Sequence, residues 1–226
     1  MKLVMMSDSH GRHREITKDL MAIYQEVGDD AILIHAGDVS NRGLIMEINN
    51  FTEWFGSLPF KHKVFIAGNH DFGFEDVRHN NEPGIIIPPG VTYLQDEMVE
   101  IEGIKIYGSP WQPRFYDWAF NVDRGDAIAK KWKLIPDDAN IVITHGPVFG
   151  IVDYVYNGMT VGCEELYKRI IDVKPKFHIC GHIHFAYGIR TFNDTTFVNA
   201  ASLGENYKYQ NKPIVLDYDD EDQPLI

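Results

Sequence analysis

The chain is short of cysteine, short of positive charge and free of long apolar runs. Its 226 residues include two cysteines, Cys163 and Cys180. Two are too few for a disulfide framework and fit a reducing compartment. Lys and Arg number 21 against 33 Asp and Glu, a formal charge of −12. Non-specific nucleic-acid affinity comes from neutralising phosphates with Lys and Arg, so a broad polyanion-coating surface is excluded. A small phosphate-bearing ligand is still allowed. No stretch approaches the roughly 18 apolar residues that a membrane span needs. The opening run Leu3–Met6 stops at Ser7-Asp8, too short for the core of a signal peptide. A cytoplasmic location with no membrane contact is the expectation. The sequence also lacks internal repeats and Ser/Gly-rich linkers.

What remains is an ordinary globular composition, 44% apolar and 24% charged, long enough to bury a sizeable core. The expectation is one domain over 1–226. The acidic stretch Asp217–Asp222, within the tail 217–226, reads as a solvated terminus. Short, β-branched runs recur: Leu3–Met6, Ala31–Ala36, Val64–Ala67, Ile141–Thr144 and Ile179-Cys180. Such runs fit strands buried on both faces. Val99–Ile101 and Ile104–Tyr107 flank Glu102-Gly103, a hairpin signal. Thr195–Val198 and Ile214–Leu216 read as later strands. Helical spacing falls between them at Ile16, Leu20, Tyr24 and Val27, and again at Ile45, Ile48, Phe51 and Phe55. Leu166 and Ile170 mark a third helix and Ala127–Trp132 a fourth. An α/β fold with helices covering mixed sheet is predicted.

The strand ends carry the chemistry. Open α/β sheets place ligands beyond the carboxyl ends of their strands. Five expected strand ends run into Asp8-Ser9-His10, Gly37-Asp38, Gly68-Asn69-His70-Asp71, Thr144-His145-Gly146 and Gly181-His182-Ile183-His184. Each alone reads as a turn, a cap or a satisfied polar group. His182-x-His184 is the strongest single piece, since paired imidazoles suit a metal. Together they are hard to explain by packing. About four protein ligands saturate one metal, so seven candidates imply two metals sharing a carboxylate. Two divalent cations form a clamp for in-line displacement at phosphorus, with a bridging hydroxide as nucleophile. Oxygen and imidazole ligands suit Mn²⁺ first, or Fe, Zn²⁺ or Co²⁺. His70 is the candidate proton donor to the leaving group, with Asp71 as the carboxylate that orients it.

These residues resemble, in order, the five motifs of the calcineurin-like metallophosphoesterases. The resemblance implies a four-layer αββα sandwich of mixed sheets flanked by helices, with a dinuclear site between the sheets. It implies a first metal on Asp8, His10, Asp38 and His184. A second would lie on Asp38, Asn69, His145 and His182, with Asp38 bridging. His70 matches the position of the family's proton donor. Leu33–Asp38, Ile66–Asp71, Tyr107–Pro113 and Val198–Ala200 further resemble the metallophosphoesterase-domain proteins. That branch is related to class III cyclic nucleotide phosphodiesterases and implies phosphodiester substrates. Some animal members lack the first His of the last motif and are nearly inactive; here His182 is present. Asp71 stands where some relatives have Glu.

Asn41 and Arg42 follow Asp38 closely and are candidates to reach a phosphate. Trp111, Arg114, Phe115, Tyr116 and Trp118 form an aromatic segment, read first as a packed loop. His13 reads as a surface or helix-start residue, and His35, His62, His79 and His178 as structural or surface residues. The expected activity is a dinuclear-metal phosphodiesterase for small phosphoesters or nucleotides. The alternatives are a phosphomonoesterase or phosphoprotein phosphatase, and a nucleotide-binding scaffold with residual activity.

Overall fold

Residues 1–76 and 84–219 are described by a computed structural model. His79 and the tail end, 220–226, lie outside the described residues. The first sheet is built from β1 (Lys2–Met6), β2 (Ala31–Ala36), β3 (His62–Ile66), β4 (Val91–Tyr93) and β13 (Ile214–Asp217). Their order is β13-β1-β2-β3-β4, parallel except for β13. The second sheet contains β5 (Glu97–Ile101), β6 (Ile104–Ser109), β9 (Ile141–Thr144), β10 (Phe177–Cys180), β11 (Gly188–Phe192) and β12 (Thr195–Asn199). Its order is β11-β12-β10-β9-β6-β5, parallel inside and antiparallel at both edges. A separate short pair joins β7 (Gln112–Pro113) and β8 (Asn121–Val122).

Three apolar layers explain the order of stacking. One lies between the sheets and takes alternate residues from both: Leu3, Met5, Ile32 and Ile34 meet Ile106, Ile141, Ile143 and Ile179. Alternation sends the next residues the other way. Val4, Met6 and Leu33 pack on α1 (His13–Val27) and α2 (Ile45–Ser57) through Ile16, Leu20, Phe51 and Phe55. On the far side, Val142, Cys180 and Phe197 pack on α4 (Asp126–Trp132) and α5 (Glu164–Val173) through Ile128, Trp132, Leu166 and Ile170. The result is an αββα sandwich. Central strands read as continuous apolar runs because each of their faces meets a different layer. A short α3 (Phe72–Asp76) follows β3.

The strand ends differ from expectation by one or two residues. β3 stops at Ile66 rather than Ala67, and β10 begins at Phe177. The Glu102-Gly103 hairpin is present, with both residues at positive φ, 49° and 81°. That is the backbone of a tight two-residue turn. The start of the acidic tail is not free in solvent. Asp217 belongs to β13, pairs with Lys2 at 3.0 Å, and Asp219 holds the N-terminal amine at 2.7 Å. Beside the first strand the chain finds cations, and the ladder anchors it.

Candidate metal centre

The carboxyl ends of both sheets converge on one place. Beyond β1 and β2 the ladder continues through the loops, Asp8 N–H to Gly37 O and His10 N–H to Asp38 O. Ser7 bridges Ala201, and Ser202 N–H reaches Ser7 O, so the first sheet is tied to the second there. Asn199 is buried and donates to Val152 O and Ile183 O, holding the last motif against the neighbouring loop. The backbone is strained where it turns. Asp8, His10, Asp38 and His182 all have φ between 41° and 67°. Non-glycine residues seldom adopt this region, and such strain clusters at functional sites. Glycine is required where backbones meet. A Cβ on Gly37, at φ 97°, would lie 2.6 Å from both Ala67 O and His145 Nδ1. One on Gly181 would overlap the Asp8 carboxylate.

The ligand atoms face one another at the spacing a cation needs. Two ligands about 2.0–2.1 Å from a common metal are about 3.0–3.4 Å apart. His10 Nε2 is 3.3 Å from His184 Nε2, and His184 Nε2 is 3.3 Å from Asp8 Oδ1. Asp38 Oδ2 lies 3.6 Å from His10 Nε2 and 3.3 Å from His145 Nε2, between the two groups. Asn69 Oδ1 is 2.9 Å from His145 Nε2. His182 stands beside His145, ring centroids 5.1 Å apart. Its backbone N–H turns to Asp8 instead, donating to the carboxylate at 3.0 Å. Backbone carbonyls set the ring tautomers: His145 Nδ1–H donates to Ala36 O and His184 Nδ1–H to Gly204 O. That turns each Nε2 inward, where a metal would take the place of a proton, as metal-ligating imidazoles require.

The electrostatics ask for positive charge. Burial pushes the Asp8 carboxyl up, but the hydrogen bond and charge of His184 hold it well below the usual range. Burial likewise opposes ionisation of Asp38, and His145 and His10 overcome it. Burial lowers His145, yet the Asp38 carboxylate holds it up at about 9. His10 and His182 are brought down by burial to about 4 and about 3, which keeps them neutral, the form that binds metal. A buried pair of carboxylates that stays ionised and holds a proton on His145 this firmly would attract a divalent cation too. The donor set therefore fits divalent metal ions.

His70 and Asp71 do not pair. His70 Nδ1–H donates to the backbone carbonyl of Asn41 at 2.9 Å, and that carbonyl orients the ring. Asp71 instead accepts from Val39 N–H, Ser40 N–H, Gly68 N–H and Ser40 Oγ–H. Its own N–H closes a turn onto Gly68 O, which folds the carboxylate back under the loop. Asp71 thus fastens the Asp38 loop to the Asn69 loop. Burial, with the charge of Asp38, pushes its carboxyl up to about 6 against these donors.

The centre forms the floor of a cavity of about 570 Å³. Asn41 and Arg42 are exposed and outside its lining; Arg42 contributes its N–H to Glu47 at the start of α2. The cations that do line the cavity are Arg114 and Arg124. The aromatic segment divides. Trp111 is structural, donating to Asp96 and lying under Lys131. Trp118 covers His70, ring centroids 4.2 Å apart, and Phe115 forms wall. Tyr207, from the loop after β12, packs its ring edge on His10 at 5.0 Å and lies 5.1 Å from His184. Nothing in the local sequence pattern pointed to Tyr207; its one signal is an aromatic between Asn206 and Lys208, and the structure holds it at φ 55°. His13 starts α1 as expected but is buried, between Phe51 and Trp54 and bonded to Asn50. Its ring covers the apolar helix interface, which is why it leaves the surface.

The calcineurin-like phosphoesterase family profile matches residues 1–186. Metallophosphoesterase domain-containing protein 1 of Homo sapiens is 40% identical over 238 residues, covering 96% of this chain and 70% of its own. One crystal structure superposes with a TM-score of 0.71 at 17% identity, over 96% of this chain and 98% of its own. The crystal structure of TT1561 of Thermus thermophilus gives 0.60 at 13% identity, over 88% of each chain. The two structures share the fold. The chain belongs to the calcineurin-like phosphoesterase family, metal-dependent hydrolases of phosphoesters.

Proposed function

We propose that this protein is a phosphodiesterase for small organic phosphodiesters, cyclic nucleotides among the candidates. The observation that carries the preference is the pairing of the cavity's cations. Arg114 Nε holds Asp123 at 2.6 Å and Arg124 holds Glu164 at 2.5 Å. A phosphomonoester approaches two negative charges at neutral pH, whereas a diester carries one. With both arginines already compensated, the monoanion is the better match.

Two divalent cations, Mn²⁺ or else Fe, Zn²⁺ or Co²⁺, held by Asp8, His10, Asp38 and His184 and by Asp38, Asn69, His145 and His182, would supply Lewis acidity and an acidified water. The rest belongs to the chain. Asp38 sits between the two ligand groups and fixes their separation. His70, its Nδ1–H committed to Asn41 O, keeps its other nitrogen for a proton to the leaving alkoxide. Trp118 lies against that ring and holds its orientation. Ligands drawn from both sheets support reading residues 1–226 as one domain. Both thiols are free and buried, which supports a reducing compartment such as the cytoplasm. No helix of the described residues is long and apolar enough to cross a membrane.

The test compares bis-p-nitrophenyl phosphate with p-nitrophenyl phosphate. Chelation should abolish hydrolysis and Mn²⁺ should restore it, with the diester turned over faster. Full hydrolysis after verified metal removal, or a strong monoester preference, would overturn the reading.

A further inference from the structure

The cavity is larger than a phosphate needs, and its volume suits an organic ligand. Above the floor its walls are Pro113, Phe115, Pro147, Val155, Val161 and Trp118. The charged side chains among them are tied to partners, as described. Recognition of a nucleobase takes donors and acceptors matched to its polar edge. Among the described lining residues the single side-chain amide is Asn69, which already faces His145. The hydroxyls of Thr160 and Tyr207 add little to read a base with.

The lips continue the apolar wall outward. Tyr154 bridges Thr160 across a short loop whose tip carries Tyr156 and Met159. These two are 75% and 58% exposed, although Val155 and Thr160 beside them line the cavity. Phe185, next to the ligand His184, meets the Tyr154 ring at 5.8 Å. Across the opening, Phe115 carries Tyr116 against it at 4.5 Å. Single exposed apolar residues are ordinary, but a group of them at the mouth of a cleft marks a ligand surface.

We infer that the substrate is a phosphodiester with one apolar arm, of the single-chain glycerophosphodiester kind. The inference rests on the phosphodiesterase reading above. The phosphate sits at the floor, and the arm lies along Phe115, Val155 and Val161 and leaves over Tyr156 and Met159. The arm arrives on a dispersed molecule rather than from a bilayer, because a chain of charge −12 is repelled by an anionic membrane surface. Hydrolysis is by water. An oxygen of water bonds to phosphorus, one ester P–O bond breaks, the leaving alkoxide takes a proton from His70, and the proton that the water gives up is released to solvent, from which His70 is reprotonated. The products are a phosphomonoester and an alcohol.

The experiment measures kcat and KM for glycerophosphoethanolamine and its hexanoyl and octanoyl derivatives below their micelle concentrations. A fully buried methylene is worth roughly fourfold in affinity. The octanoyl compound should therefore exceed the parent by about 10-fold or more in kcat/KM, chiefly through KM. In the Tyr156→Ser/Met159→Ser variant, whose exposed positions permit folding, that ratio should fall toward one. No chain-length dependence, a ratio unchanged in the variant, or faster turnover of 2′,3′- or 3′,5′-cyclic AMP than of the octanoyl ester would overturn the inference. Faster hydrolysis of the same ester held in phosphatidylcholine vesicles would overturn the dispersed source. Bis-p-nitrophenyl phosphate is run alongside with the unaltered protein. If it too resists hydrolysis, the phosphodiesterase reading has failed; if it is hydrolysed, only the apolar arm has.

Discussion

At the floor of the cavity, Asp8, His10, Asp38 and His182 are held at positive φ, and every loop is bonded to another loop. At the lips, Tyr156 and Met159 project from a loop bonded chiefly to itself, Val155 N–H to Met159 O and Gly158 N–H to Val155 O, and their side chains are exposed. The contrast separates two demands on one site. Metal ligands must converge within a few tenths of an ångström, so the surrounding fold has to carry local strain. Contact with an apolar arm is non-directional, so area at the mouth suffices and no clamp is needed. Alterations at the floor should abolish chemistry; alterations at the lips should alter only selectivity.

The largest effect is expected at Asp38, the carboxylate between both ligand groups. Asp38→Ala should lower turnover on the order of 10⁴-fold, and elemental analysis should find less than one metal per chain. Two bound metals in that variant would remove the bridging role and blur the floor's distinction. Next comes His70. His70→Ala should retain the metals but slow turnover by about 10²–10⁴-fold, most for leaving groups of high pKa. An equal effect on all leaving groups would show that His70 positions rather than donates.

The smallest effect concerns the frame beneath the floor. His178 is buried, brought down by burial to about 3, and shares a hydrogen bond with Thr144. His13 is brought down to about 4 by burial, against its bond to Asn50. Both fold neutral, while the unfolded chain takes up protons below its ordinary value near 6.5. Stability should thus be full above about pH 6.5 and be lost as pH falls toward 4. At pH 5 the loss is about 2 kcal/mol for each ring. Urea midpoints across this range measure it, and His178→Asn should flatten the curve. A curve equally steep in the variant would place acid sensitivity elsewhere, at the floor itself.

Much of this could be read from the chain alone, for a definite reason. Each ligand follows directly on a short buried strand, and the strand's apolar run announces where it will end. Gly37, Gly68 and Gly181 signal the close approaches, because a Cβ there would strike Ala67, Asp38 or Asp8. Runs apolar on both faces foretell sheet covered on each side; the four-layer αββα order came from the family resemblance. Adjacency to His70 is a poor guide to the partner of Asp71. A tight turn sends neighbouring side chains apart, and the turn at Gly68 aims this carboxylate at backbone N–H groups. Arg42 lies outside the cavity lining for a similar reason, since proximity to Asp38 in sequence does not put a side chain inside the cavity.

By itself the sequence determined the types of the candidate ligands, their order along the chain and the strands that end in them, since local apolar patterning and ligand chemistry are properties of short segments. The tertiary structure alone decided what surrounds them. Trp118, Arg124 and Tyr207 reach one cavity from β7–β8, the start of α4 and the loop after β12, elements brought together only by packing two sheets face to face. Which cations are already paired with Asp123 and Glu164, and which apolar side chains stay uncovered at the mouth, are likewise fixed by that packing, because pairing and exposure depend on neighbours distant in sequence.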